Sequence, residues 1–241
     1  MIKGIIFDLD GTLLNTLYDI QDSLNVVFNN HNLKTRTYDE VRLAVGKGSR
    51  NLIKDSLQKN VDDNTIDELL EEYIKVYGKG YNIKTKPYDD IKELLNEIEK
   101  RNIVIAVNSN KPDAFTKDLI KTHFPKNKFV SVIGSRANVP NKPDPYSTNE
   151  IISLMKLNKD EVLYVGDSES DIKTAKNVKI KSVGCLWGFR DFKTLKDVGA
   201  DIIISNPKEL LNYLQWKLIL PVKTTAKELL ELKALIQQLH I

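Results

Sequence analysis

Cysteine is almost missing from this chain: Cys185 is the single one among 241 residues. An intramolecular disulfide is therefore excluded, and the count is compatible with a reducing compartment. Cys185 lies in an apolar run, residues 180–186, where a small buried hydrophobe is the plainer reading. Long hydrophobic runs are missing too. No segment approaches the roughly 18 apolar residues of a membrane span. The N-terminal apolar stretch, residues 1–7, is far too short for a signal peptide and runs at once into two aspartates. A strong charge of either sign is also lacking. The chain sets 36 Lys plus Arg against 33 Asp plus Glu, a formal net charge of +3 spread along its length. That is not the concentrated basic patch of a nucleic-acid binder. These absences leave the expectation of a soluble cytoplasmic protein, with neither nucleic acid nor membrane as a partner.

What is present reads as an α/β protein. Short runs rich in Ile and Val, residues 2–7, 103–107, 129–133, 162–165, 180–183 and 202–204, lack polar alternation, as parallel strands covered on both faces do. Helical patterns lie between many of them, at residues 89–101, 113–122, 145–157, 171–177 and 208–214. In the first, Ile91, Leu94, Leu95 and Ile98 form one apolar stripe. Strands alternating with helices predict a Rossmann-like parallel sheet. Residues 15–83 break the alternation. They read as helices at 16–30, 38–45, 50–58 and 65–76 with no convincing strand, an all-helical cap inserted after the first strand. The expected division is a core of residues 1–14 and 84–214, a cap of 15–83 and a C-terminal helical extension of 215–241. In the extension, Leu229, Leu232, Ile236 and Leu239 make a heptad-like stripe on a helix over 225–239. It would pack on its own core or form a homodimer contact.

Four local signals carry chemistry. Asp8 and Asp10 stand two residues apart at the end of the first apolar run, followed by Gly11 and Thr12. Ligands of open α/β sheets bind beyond the carboxyl ends of the strands, and two acids placed there call for a cation or a proton. Gly11 allows a sharp change of direction. A second strand ends in Gly166 and Asp167, with Asp171 four residues on. Oxygen donors with no His or Cys cluster suit Mg²⁺ better than Zn²⁺. Ser109 and Asn110 follow a third strand, where a hydroxyl and free N–H groups at a helix start would form an anion site. Lys142, in the Asn141-Lys142-Pro143 loop, could hold a phosphate oxygen and offset the acids. Plain structural readings compete for each signal alone: a turn, a helix cap, a solvated loop lysine.

Taken in order, Asp8-x-Asp10-Gly11-Thr12, Ser109, Lys142-Pro143 and Gly166-Asp167-x-x-x-Asp171 resemble the phosphatase branch of the haloacid dehalogenase superfamily. The resemblance covers residues 1 to about 214, and the closing Gly199-Ala200-Asp201-Ile202 and Asn206-Pro207-Lys208-Glu209-Leu210, with the helical cap, also look like members close to phosphoglycolate phosphatase. It implies that Asp8 attacks phosphorus to give an aspartyl-phosphate and that Asp10 serves as general acid and base. It implies that the side chains of Asp8 and Asp167 and the backbone of Asp10 hold Mg²⁺, with Asp171 orienting a bound water or ligating directly. Ser109, Asn110, Lys142 and the backbone around Gly11 and Thr12 would bind the phosphate. The second aspartate, Asp10, argues against the dehalogenase and phosphonatase branches. The position of the phospho-acceptor and the chain length argue against a response-regulator receiver. The expected partner is a small-molecule phosphate ester, with phosphoglycolate favoured. A pyrophosphatase or a sugar-phosphate mutase on the same scaffold is the alternative, and a non-catalytic binding protein is the least favoured.

One cap segment adds a further expectation. Gly46 and Gly48 flank Lys47 just before the helix near Arg50. Lys47 and Arg50 would meet an acidic leaving group such as glycolate when the cap closes. A plain interhelical turn capped by Ser49 explains the same residues.

Overall fold

The computed structural model describes residues 1–57 and 61–214. The chain opens with β1 (Gly4–Phe7) and a two-residue strand β2 (Leu14–Asn15). Four helices follow: α1 (Leu17–Asn30), α2 (Tyr38–Ala44), α3 (Ser49–Leu57) and α4 (Asp63–Gly80). A second two-residue strand, β3 (Lys86–Pro87), returns the chain to an alternating series. That series is α5 (Ile91–Lys100), β4 (Val104–Pro112), α6 (Asp113–His123), β5 (Phe129–Ser135), α7 (Tyr146–Met155), β6 (Val162–Gly166), α8 (Glu169–Val178), β7 (Lys181–Cys185), α9 (Phe192–Asp197) and β8 (Ile202–Ile204).

Six strands form one parallel sheet in the order β5-β4-β1-β6-β7-β8. The apolar runs explain why. Side chains alternate across a strand, so Ile5 and Phe7 join Ile105, Val107, Leu163 and Val165 on one face, packed on Leu94, Leu95 and Ile98 of α5. Ile6, Ala106 and Tyr164 join Ile151 and Ile152 of α7 and Ala175 and Val178 of α8 on the other. Both faces are covered, as a parallel sheet requires. Because β1 is central, Phe7 stands opposite both Val107 and Val165. The residues next in sequence, Asp8, Asn108 and Gly166, therefore stand side by side toward the carboxyl ends of these strands.

Helices α1 to α4 bury their apolar stripes against one another in a separate core that includes Leu24, Phe28, Ile53, Leu69, Tyr73 and Tyr77. The chain enters and leaves this unit through β2 and β3, which pair antiparallel. Buried Asp19 ties the exit leg, accepting N–H bonds from Ile83, Lys84 and Thr85 and the Thr85 hydroxyl. Phe189, from the loop after β7, is buried in the helical core and links the two units. Among the described residues no helix is long and apolar enough to cross a membrane.

Several boundaries differ from the expectations. β4 continues to Pro112, because pairing with β5 resumes after a register shift between Asn108 and Pro112. Ser109 and Asn110 thus lie in the strand, and the next helix starts only at Asp113. α8 begins at Glu169 rather than Asp171: Ser168 is its N-cap and Asp171 closes a capping box. The helix expected at 208–214 is a 3₁₀ turn, Pro207–Asn212, started by Asn206. The short helix α9 was not foreseen; it carries one buried residue, Leu195, and so no periodic stripe. The extension 215–241, with its stripe from Leu229 to Leu239, lies outside the described residues, as does Gln58 at the end of the expected third cap helix.

Candidate active site

Asp8 stands at the end of β1, its N–H bonded to the Val165 carbonyl. Its Oδ1 accepts the Leu9 N–H at 2.6 Å and lies 2.8 Å from the Lys142 ammonium. The chain then turns sharply, with the Leu9 carbonyl accepting from Thr12, Leu13 and Leu14. Gly11 has φ +86°, and a Cβ there would fall 2.3 Å from Asp167 Oδ2. Glycine is required on both counts. The turn leaves the Asp10 carboxylate outside the cluster of Asp8, Asp167 and Asp171. Its Oδ1 accepts from the Thr16 hydroxyl at 2.6 Å and from Lys111 Nζ at 2.7 Å.

Asp167 continues β6 as Asp8 continues β1. Its Oδ1 accepts the Thr12 hydroxyl at 3.0 Å and its Oδ2 the Phe189 N–H at 2.8 Å. Gly188 lets that N–H approach: a Cβ there would lie 2.4 Å from both Asp167 Cβ and the Gly11 carbonyl. Asp171, one turn into α8, accepts the Ser168 N–H and hydroxyl on Oδ2 and the Lys142 ammonium on Oδ1 at 2.7 Å. Oxygens of Asp8, Asp167 and Asp171, all buried, lie within 4.8 Å of one another. Burial, then the charge of Asp171, pushes the Asp8 carboxyl up to about 7 against the pull of Lys142. Burial and the charges of Asp171 and Asp8 drive Asp167 well above the carboxylate range. Burial opposes the Lys142 ammonium, but Asp171 and Asp8 more than offset it and hold its pKa well above the usual value.

Three carboxylates against one ammonium leave two negative charges in a buried site when all are ionised. Oxygen-only donors with that excess fit a hard divalent cation. The side chain of Asp10 is not part of this group.

Ser109 lines a cavity together with Asp8 and Asp10, and its hydroxyl accepts the Lys111 N–H at 3.2 Å. Asn110 is committed to structure. Its Oδ1 accepts the Lys142 N–H, and its Nδ2 donates to the carbonyls of Lys142 and Gly46. It thus clamps the lysine loop and touches the cap, instead of offering its amide to a phosphate. Thr12 likewise directs its hydroxyl to Asp167.

Lys47 and Arg50 do not line the cavity that contains Asp8 and Asp10. Lys47 pairs with Asp55 at 3.1 Å, while Arg50 bridges Asp63 and Asp67 at 2.8 Å each. All three ion pairs are exposed, and acids in α3 and α4 capture the cations expected to face a substrate. Lys47 borders a neighbouring cavity of about 280 Å³ that shares Gly46.

Lys111 escaped the sequence reading. Its side chain is 4% exposed, it lines the same cavity as Ser109, and its ammonium lies 5.0 Å from the centre of the Tyr77 ring. The available signal was period two: Ser109 and Lys111 are alternate residues of one strand and share a face. Cys185 is fully buried, its thiol bonded to the Gly166 carbonyl.

Comparison with known proteins agrees with this geometry. Residues 5–185 match the family model described as haloacid dehalogenase-like hydrolase. A phosphoglycolate phosphatase of Vibrio parahaemolyticus is 29% identical over 220 residues, which is 87% of this chain and 95% of that relative. An N-acetylmuramic acid 6-phosphate phosphatase of Pseudomonas aeruginosa is 27% identical, over 88% of this chain and 95% of its own length. A solved chain from Lactobacillus delbrueckii subsp. bulgaricus, for which phosphoglycolate phosphatase activity is proposed, superposes with a TM-score of 0.82. It is 27% identical and covers 89% of this chain and 99% of its own.

Proposed function

The chain belongs to the haloacid dehalogenase-like hydrolases, and from that premise we infer that it is a Mg²⁺-dependent phosphatase acting through an aspartyl-phosphate on Asp8. The observation that carries this reading is the pairing of one buried acid group, Asp8 with Asp167, Asp171 and Lys142, with a separate acid, Asp10, held beside it by its own partners. The first group can hold a divalent cation and present a carboxylate nucleophile, with the Lys142 ammonium left to meet a phosphoryl oxygen. The second is free to move a proton.

In the first step a carboxylate oxygen of Asp8 attacks phosphorus, the bond to the leaving oxygen breaks, and Asp10 donates its proton to that oxygen. In the second step Asp10 takes a proton from water, the water oxygen attacks phosphorus, and the acyl-phosphate bond breaks to restore Asp8 and release inorganic phosphate. Lys142 and Ser109 bind phosphoryl oxygens, and Asn110 and Asp171 hold Lys142 in place. Asp8, Asp167 and the Asp10 carbonyl would hold Mg²⁺, with Asp171 beside them, and the bound ion supplies charge neutralisation for the acids and the transferring group.

The reading includes a small-molecule phosphate monoester as substrate, with phosphoglycolate favoured because relatives of that name match over most of their length. A screen of phosphate esters with Mg²⁺ and with excess chelator tests it. Metal-dependent release of phosphate from 2-phosphoglycolate and p-nitrophenyl phosphate is expected, and release of phosphate from neither ester would overturn it.

A further inference from the structure

The cavity beyond Asp8 and Asp10 has a mostly apolar wall supplied by the cap: Ile20, Val45, Leu52, Tyr73 and Tyr77. One lysine, Lys111, enters it from β4. Its ammonium is nearly buried, 2.7 Å from Asp10 Oδ1 and over the ring of Tyr77. An ammonium has three N–H donors, and among the described residues Asp10 is the hydrogen-bond partner recorded for this one. In the same wall the Tyr77 hydroxyl is buried with no hydrogen-bond partner. A polar group left without a partner in an apolar setting is costly unless a ligand completes it. The other lysine of the site, Lys142, is already shared by Asp8 and Asp171, and the cap cations Lys47 and Arg50 are bound to exposed acids.

We propose that Lys111 is a specificity-determining residue that binds a carboxylate on the leaving group of the substrate, with Tyr77 beside it in the same subsite. This deepens the phosphatase reading and rests on it. The geometry follows from Asp10. A group that protonates the leaving oxygen must touch it, and Lys111 touches the same Asp10 carboxylate. In a two-carbon ester such as 2-phosphoglycolate, the carboxylate oxygens are three bonds from the leaving oxygen, within reach of an ammonium so placed. An uncharged leaving group gains no such contact. Without Lys111, a carboxylate would meet Asp8 and Asp10 with no opposing charge among the lining residues.

The test compares kcat/KM for 2-phosphoglycolate with that for ethyl phosphate, which lacks the carboxylate, in the wild type and in Lys111→Met and Lys111→Gln. Thermal unfolding and circular dichroism check that each variant folds, and two variants of different polarity guard against one failing. The wild type is expected to prefer 2-phosphoglycolate, and either substitution to lower that preference by about 30-fold, the scale of one charge-assisted hydrogen bond. Tyr77→Phe is expected to lower it several-fold without lowering the unfolding temperature, since the hydroxyl it removes has no partner. Equal losses on both esters would mean that Lys111 acts only by holding Asp10, and would overturn the proposal. So would the absence of any preference in a wild type that hydrolyses p-nitrophenyl phosphate. Failure on all three esters would instead strike the phosphatase reading itself, and this one with it.

Discussion

Arg190, in the loop after β7, holds the carbonyl of Val45 in the cap: its Nη2 donates to that oxygen at 3.0 Å. The same guanidinium donates to the carbonyls of Arg42 and Leu43, and its Nε pairs with Glu169 at 2.8 Å. These carbonyls are the free acceptors at the end of α2. The clasp is reciprocal, because Arg42 Nη1 donates to the Phe189 carbonyl at 2.5 Å. Phe189 in turn gives its N–H to Asp167 and its ring to the cap core. One short segment therefore ties a metal-site candidate to the position of the cap.

Breaking the clasp should loosen the cap. In Arg190→Ala, three carbonyls and Glu169 lose their partner, and each lost bond to a charged group contributes about 1.5–3 kcal/mol at most. We expect kcat/KM for a phosphate ester to fall at least tenfold and limited proteolysis between α2 and α3 to accelerate. Arg190→Lys should recover only part of the loss, since one ammonium cannot match the planar fork. Unchanged kinetics and unchanged proteolysis would show that the cap is held elsewhere.

Asp8→Asn should abolish turnover and leave the fold intact. The amide keeps an acceptor oxygen for the Leu9 N–H at nearly constant volume, and Lys142 retains Asp171, but the nucleophile is lost. Activity within tenfold of the wild type would rule out a covalent intermediate on this residue.

Asp10→Asn should fold and still bind Mg²⁺ and substrate, because its carboxylate lies outside the acid group and the amide oxygen can still accept from Thr16 and Lys111. Turnover should fall by roughly 10²–10⁴-fold, the usual worth of a general acid–base. Loss of metal binding, with no slowing of turnover at saturating metal, would contradict that role.

Metal binding should depend on pH in a definite direction. Without metal, the Asp8 carboxyl titrates near 7 because burial and Asp171 disfavour its charge. A divalent cation binds the ionised form, so apparent Mg²⁺ affinity should weaken as pH falls below about 7. Each proton released corresponds to at most about tenfold per pH unit, and because burial also raises the Asp167 carboxyl, affinity should go on rising above that pH. Calorimetric titrations at pH 6, 7 and 8 measure it, and equal affinity at all three would refute the assignment. Excess chelator should remove activity. Ca²⁺ should replace Mg²⁺ poorly, since it takes more and longer oxygen contacts.

Much of the core was legible because its signals are local. The runs before Asp8 and Asp167 are short, rich in Ile, Val and Leu and without polar alternation, so they read as covered strands, and an acid at the end of such a strand points to the sheet edge. The stripe of Ile91, Leu94, Leu95 and Ile98 likewise named the buried face of α5. The tail of β4 was not legible in that way. Asn108 to Pro112 are polar and end in proline, and only pairing with β5 across a register shift makes them strand.

What the sequence by itself determined is therefore the six strands of the main sheet, the helical insertion and the acids that end β1 and β6, since each depends on a few neighbouring residues. Which side chains meet was decided by the tertiary structure. Lys47 and Arg50 are attractive cations in the sequence, yet Asp55, Asp63 and Asp67 hold them outside the cavity. Lys111 is unremarked in the sequence, yet the extended β4 carries it into the cavity beside Asp10. Lys142, Asp8 and Asp171 converge from three distant segments. A charge acts over a few ångströms, and the chain fixes distances of that size between remote residues only when it packs.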